Sequence, residues 1–262
     1  MYNNLITGTL LTNKKTRNAR RLLIQLLLIL LPLATQAATH QEAAATDKST
    51  LKPFSLTYKA KYAGLPFSGT AFRRLQYDPE TQRYTLITQA NSFLMQLKEN
   101  AQFRWDQQQC QAIPIRYEYK RSGIGKNKHH WVEFAANRQE ATYYSKNRQG
   151  KIKSSTYETP SVVADRLSEI TVLRCKLMQG ASQIEIDLVR KSRVVTHSFQ
   201  KVAEEVLETP IGPLKSIKVA RVSEDGDKQT FAWFAPEHNY WLIRLEQVED
   251  NKRYTVMLQS ID

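Results

Sequence analysis

No G-x-S-x-G, H-E-x-x-H or C-x-x-C pattern and no Walker-type loop occurs in the 262 residues. Missing with them are the commonest local signatures of a serine hydrolase, a zinc peptidase, a thiol redox centre and a phosphate cradle. "SGIGK" (Ser122–Lys126) has glycines and a lysine but not the spacing of a phosphate loop, and it reads as a hairpin tip. Cysteine is scarce, with only Cys110 and Cys175. In an oxidising compartment such a pair is a disulfide, or else two separate buried thiols, and the sequence leaves both open. No apolar run is long: Leu22–Leu33 is about half of the roughly 20 residues that a spanning helix needs. No helical patterns alternate with the strand patterns, which argues against a doubly wound parallel sheet. No internal repeat is present.

What is there begins with an address. Residues 1–21 carry Lys14, Lys15, Arg17, Arg20 and Arg21 and no acid, the apolar run follows, and Thr35-Gln36-Ala37 supplies small residues before a cut. These are the three parts of a secretory signal, which predicts cleavage after Ala37 and a product in the periplasm; the rival reading is an uncleaved inner-membrane anchor. No cysteine follows the run to carry a lipid. Residues 38–52 are small and polar, a flexible leader, and 53–262 are long enough for one β-rich domain. Removing residues 1–37 lowers the formal charge from +13 to +8, since five basic residues leave and no acid does. That excess favours anionic envelope neighbours, including peripheral contact with a membrane surface, rather than nucleic acid, which an exported protein rarely meets. The plainer reading is that these cations keep strand faces and loops in solution.

Period two dominates the rest. Phe54, Leu56, Tyr58, Ala60 and Tyr62 alternate with polar residues. Further strands are predicted at 67–77, 84–90, 94–105, 113–120, 131–135, 141–145, 184–188, 195–199, 211–222, 230–234, 240–248 and 253–260. The breaks between them are Gly64-Leu65-Pro66, "DPET" (Asp78–Thr81), "SEDGDK" (Ser223–Lys228) and "EDNK" (Glu249–Lys252). One segment changes period. After Thr159-Pro160, the residues Val163, Leu167, Ile170, Leu173 and Leu177 recur three or four apart up to Gly180, which predicts a helix over 161–179. The expected fold is mainly β: an antiparallel meander forming a curved sheet or incomplete barrel, with that one helix inserted and its apolar stripe on the sheet.

Two sets of binding residues follow. Tyr58, Tyr62, Leu167, Ile170, His197, Trp233 and Trp241 would line an apolar site under the helix, or simply fill a core. Leu167→Ala separates the two, since truncation costs about 2–5 kcal/mol in a filled core and less in an open cup. "RYEYKRSGIGKNKHHW" (Arg116–Trp131), seconded by "KNRQGKIK" (Lys146–Lys153), concentrates cations among aromatics. Arg116, Lys120, Arg121, Lys126 and Lys128 would contact an anionic group, although solvated hairpin ends explain such runs equally well. No catalytic residue, metal site or cofactor is predicted. Asp165, Ser168 and His197 are the only candidates for a hydrolase, and Asp165 with Glu169 reads as a solvated helix face. His129 and His130 are adjacent, so a strand would point them to opposite faces, and surface-loop histidines are the simpler reading. His197 reads as a hydrogen-bonded core residue and His238 as part of a turn. The oligomeric state is not encoded in any pattern found.

Five segments together resemble the DUF3108 family of exported bacterial proteins: "FSLTYKAKYAGLPFSGTA" (Phe54–Ala71), "IPIRYEYKRSG" (Ile113–Gly123), "VVADRLSE" (Val162–Glu169), "ETPIGPLKSIKVAR" (Glu208–Arg221) and "FAWFAPEHNYWLIRLE" (Phe231–Glu246). In the last of these, members usually carry a proline in the manner of "YLPVRIE", where this chain has Trp241, Leu242 and Ile243. The resemblance implies an exported β-rich domain and brings no catalytic residue with it. In architecture the chain is also similar to periplasmic lipoprotein carriers of the LolA/LolB type, in which an incomplete barrel and helices form a cup for acyl chains. That likeness implies a non-catalytic binding or chaperone-like protein for a hydrophobic or amphiphilic envelope component. A structural module that meets partners through strand edges and an envelope hydrolase are the alternatives.

Overall fold

The computed structural model describes residues 51–62, 68–125, 127–222, 228–249 and 252–262. The predicted export signal, nearly all of the predicted leader, the Gly64-Leu65-Pro66 break, Lys126, the 223–227 connector and residues 250–251 lie outside the described residues, as do the Tyr62 and Lys228 side chains.

Among the described residues fourteen strands form one antiparallel sheet. They are β1 (Phe54–Tyr62), β2 (Ser68–Asp78), β3 (Arg83–Asn91), β4 (Met95–Asp106), β5 (Gln111–Gly123), β6 (Lys128–Phe134), β7 (Glu140–Lys146) and β8 (Ile152–Glu158). After helix α1 (Glu169–Met178) come β9 (Gln183–Arg190), β10 (Arg193–Thr209), β11 (Gly212–Val222), β12 (Lys228–Ala235), β13 (Trp241–Glu249) and β14 (Lys252–Ile261). A short 3-10 turn, Pro236–His238, holds the predicted turn histidine. Each strand pairs with the next in sequence except β8 with β9, and β1 also pairs with β14. The sheet is not closed: β8 and β9 are its two edges, and the segment carrying α1 runs between them.

The sheet curls, as its core shows. One apolar cluster joins Leu75, Phe103 and Val132 from one half to Leu188, Val219 and Phe234 from the other, with Leu167, Leu173 and Leu177 packed among them. The two edges also approach: the Tyr157 hydroxyl of β8 donates to the Lys191 carbonyl beyond β9 at 2.9 Å. A second cluster gathers Leu56, Tyr58, Trp233, Ile243 and Leu258. On β1, Leu56 and Tyr58 are buried and Lys59 is exposed, the alternation that its sequence predicts.

Four expectations are corrected. The helix is shorter than 161–179, because Asp165 takes over the start of that segment. Its carboxylate accepts the backbone N–H of Leu167 at 2.7 Å and of Ser168 at 3.0 Å, a local turn that competes with helix. Ala164 meanwhile makes a parallel bridge to Leu188, covering the edge of β9. Second, Asp165 and Glu169 are not a solvated face: Asp165 is 1% exposed and Glu169 is buried, as are Thr171 and Arg174, so α1 is buried on nearly all sides. Third, Leu51 is not part of a loose leader but is buried in the first cluster. Fourth, the histidine pair sits on β6, not in a loop. At the far end Gly180 has φ +86 and closes the helix as its sequence predicts.

Cys110 and Cys175 form a disulfide with Cα atoms 5.5 Å apart, tying α1 to the turn between β4 and β5.

Candidate functional site

Three hairpin tips share one end of the sheet, those joining β3 to β4, β5 to β6 and β7 to β8. The first is tightened by Ser92, whose Oγ accepts the Leu94 N–H at 3.3 Å and the Met95 N–H at 3.1 Å. The second rests against it. Gly123 has φ +109, and a Cβ there would lie 2.3 Å from the Leu94 carbonyl oxygen, so only glycine admits the close approach. The Ile124 N–H then donates to that same carbonyl at 2.8 Å, and Arg121 Nη2 donates to the Ile124 carbonyl at 3.1 Å.

Behind the tips, register builds a row of cations that no short sequence window contains. Gln89 pairs with Lys98, Lys98 with Lys120, Lys120 with His129, and His129 with Lys146 across β3 to β7. Residues directly opposite share a face, so these side chains stand side by side. Lys98 opposite Lys120 is a like-charge pair of the kind that destabilises a sheet unless something offsets it.

Together with the tips this row forms a groove of about 800 Å³. Among the described residues its cations are Lys98, Lys120, Arg121, Lys128, Lys146 and Arg148, beside amides such as Gln89, Asn91 and Gln96, and none of those that line it is a carboxylate. Glu118 stands one pair further along the strands, where its Oε1 is 2.9 Å from Lys120 Nζ and 2.8 Å from His129 Nε2. Burial alone would raise the Glu118 carboxyl, but the hydrogen bonds and charges of Lys120 and His129 hold it below its ordinary value. It therefore stays ionised and anchors those two side chains. On the same face Trp131 stacks with Tyr144, ring centres 5.0 Å apart, and carries the Arg116 guanidinium at 5.7 Å.

The inner face of the same strands is chemically different. Tyr117 donates its hydroxyl to Glu99 at 2.5 Å, Arg166 approaches Glu99 at 3.6 Å, and Arg73 donates to the Leu167 carbonyl at 2.9 Å. His130 faces this side, stacked on Tyr119 with ring centres 4.7 Å apart. Burial, then the charges of Arg166, Lys191, Lys128 and His129, push its pKa down from 6.5 to about 4. The unfolded chain therefore takes up this proton first as pH falls, and His130 withdraws stability between pH 6.5 and about 4. His130→Gln is expected to flatten the fall in melting temperature across that window. An unchanged slope would show that His130 titrates normally.

Of the residues predicted for an anionic group, Lys120, Arg121 and Lys128 line the groove. Arg116 does not; it pairs with Glu133 away from the groove. Lys98, unrecognised from sequence, belongs to the groove because strand register puts it opposite Lys120. Lys146 and Arg148 come from the second basic stretch.

The predicted apolar set does not converge on one place. Tyr58 and Trp233 are buried in the second cluster, with Trp241 half-buried against it, while Leu167 and Ile170 belong to the first. The Tyr58 hydroxyl donates to the Leu242 carbonyl at 2.9 Å. Trp233 is flanked by Arg244 at 4.7 Å and Lys218 at 5.0 Å, and its indole N–H donates to Glu205 at 2.5 Å. His197 Nδ1 lies 2.5 Å from Glu169 Oε1. Nor do the hydrolase candidates form a relay. Ser168, fully buried, donates its hydroxyl to Asp165 at 2.7 Å, and His197 is held by Glu169. Burial, opposed by these hydrogen bonds and reinforced by Glu99, raises the Asp165 carboxyl. Among the described residues no three His, Cys, Asp or Glu side chains are grouped to hold a metal ion, and no helix is long and apolar enough to cross a membrane.

Such an open, curled antiparallel sheet with one packed helix is a β-barrel-like fold. The crystal structure of a β-barrel-like protein of domain of unknown function DUF1849 from Brucella abortus shares it, with a TM-score of 0.51 at 9% identity over 81% of this chain and 98% of that one. The chain belongs to the DUF3108 family, described as proteins of unknown function, whose model matches residues 57–259. Two further solved structures match more distantly. A candidate lipoprotein from Parabacteroides distasonis has 9% identity and a TM-score of 0.30, over 81% of this chain and 96% of its own. A candidate exported protein with a YmcC-like fold from Bacteroides fragilis has 10% identity and a TM-score of 0.32, over 81% of this chain and 97% of its own. No curated protein matches the sequence.

Proposed function

We propose that this chain is an exported, non-catalytic binding protein for an anionic amphiphile of the cell envelope, with the headgroup taken by the groove at the hairpin end. One observation carries the reading: among the described residues six cations line a single groove without a carboxylate among them. Lys98 and Lys120 are directly opposed; Glu118 offsets the charge of Lys120 from one side, and a phosphate in the groove would offset that of Lys98 while accepting charge-assisted hydrogen bonds. Export is supported by the charge and apolar pattern of residues 1–37. The absence of a relay among Asp165, Ser168 and His197 favours binding over hydrolysis.

The test is titration calorimetry with short-chain, monomeric phosphatidylglycerol and phosphatidylcholine. The anionic lipid is expected to bind, more weakly as salt rises, and the zwitterionic one is not. Lys98→Gln/Lys120→Gln should weaken binding by about tenfold, the order expected for losing a charge-assisted contact. Equal binding of the two headgroups, or none of either, would overturn the reading.

A further inference from the structure

The groove accounts for the cations at the hairpin end but not for the apolar residues beside them. Phe93, at the apex of the β3–β4 tip, is 92% exposed. Ile124 on the neighbouring tip is 67% exposed, and Ile152, where the third tip enters β8, is 51% exposed. A lone exposed aliphatic residue needs no explanation, but a phenylalanine this bare on a fixed turn is uncommon. The turn is fixed by the two N–H bonds to Ser92 Oγ, and the Ile124 N–H to Leu94 carbonyl bond holds the second tip beside it. Arg121, Lys128, Lys146 and Arg148 lie within the same end of the sheet.

Apolar apices with cations next to them form an amphipathic edge. Its chemistry matches a lipid surface, where apolar side chains enter the acyl boundary and Lys and Arg meet anionic headgroups. The apolar residues stand on separate tips instead of forming one flat patch, which suits insertion between headgroups better than packing on a protein face. We propose that this end of the sheet docks on an anionic bilayer, with Phe93 and Ile124 entering it and the cations contacting its headgroups. The proposal rests on the groove as an anionic-headgroup site and extends it from single molecules to an intact surface.

The experiment uses the protein in its exported form with vesicles of phosphatidylglycerol and phosphatidylethanolamine, and with phosphatidylcholine vesicles for comparison. The protein has four tryptophans of its own, so the tip is read from the added indole of Phe93→Trp as the difference from wild-type emission. Its emission is expected to shift to the blue with the anionic vesicles and to be quenched by lipids brominated on their acyl chains. Phosphatidylcholine vesicles should produce neither effect. An unshifted, unquenched signal overturns the proposal. Phe93→Ser/Ile124→Ser should weaken co-sedimentation with anionic vesicles by roughly a hundredfold or more, the equivalent of withdrawing two large apolar side chains from the acyl boundary. Its melting temperature and its binding of short-chain phosphatidylglycerol should stay at wild-type values. Undiminished sedimentation of this variant overturns the proposal, as does a photo-cross-linker at position 93 that labels protein instead of lipid. Failure of wild-type protein to bind short-chain phosphatidylglycerol would remove the groove reading, while the signal at position 93 still reports separately on docking.

Discussion

Replacing Cys110 and Cys175 together by serine is expected to lower stability by about 4 kcal/mol, the chain-entropy value for a crosslink of this span. The two residues are 65 apart in sequence, and the loop they close contains β5 to β8, the whole segment leading into α1 and most of α1 itself. Without the bond the unfolded chain gains conformational freedom that the folded chain does not. The native packing also loses a tie between helix and sheet at a point where both sulfur-bearing residues are buried. Denaturant unfolding of oxidised wild type and double variant, each extrapolated to water with its own slope because the freed unfolded chain is less compact, measures the effect. A difference under about 1 kcal/mol would mean that the reduced chain keeps its half-sheets together without the crosslink.

Leu167→Ala is the second large effect, expected at about 2–5 kcal/mol. Leu167 is 4% exposed and lies in the cluster where the two halves of the sheet meet, close to Leu173, which is fully buried. Truncation there opens a void lined by large side chains that sheet strands hold in place, so little can collapse into it. For a chain of this size the loss corresponds to a fall in melting temperature of roughly 4–20 °C. Ile170→Ala is the internal comparison, because Ile170 is only half-buried and its loss should cost distinctly less. If Leu167→Ala melts within about 2 °C of wild type, the segment ahead of α1 covers open space and the side chains beneath it do not form a filled core.

The meander was legible because half-buried strands state their faces. Phe54 to Tyr62 alternates visibly, and so do Ile184 to Leu188. Strands without a buried face left no such mark. β8 is exposed almost throughout, so its polar and basic residues read as loop, and the second half of β10 is rich in exposed glutamate. The segment 161–168 has helical spacing in Val163 and Leu167, yet Asp165 turns its own backbone, and a periodicity count does not weigh that competition. At the candidate site Arg116 to Lys128 stood out as a charged run. Lys98 did not, because its place beside Lys120 depends on the register between β4 and β5, which the turn and bulge of that hairpin set. Phe93 was equally silent in sequence, one aromatic at the edge of a strand pattern until the turn exposed it.

The pairing of β1 with β14 has a cost in time. All other strand pairs join neighbours in sequence and can zip as soon as both are present, whereas this one sets Thr57 opposite Ser260, and beside it Thr57 donates its hydroxyl to Asp262, 205 positions away. The chain emerges from ribosome or pore with β1 first, so β1 waits with one edge bare while the twelve described strands between it and β14 are delivered. During that interval the molecule is a growing ribbon with an adhesive border, open to a second nascent copy or to a holding chaperone. Arrival of the last strand turns two separate ribbons into one sheet, and the rate of that final closure, more than the strength of any contact, sets how long each new molecule is exposed to misassembly.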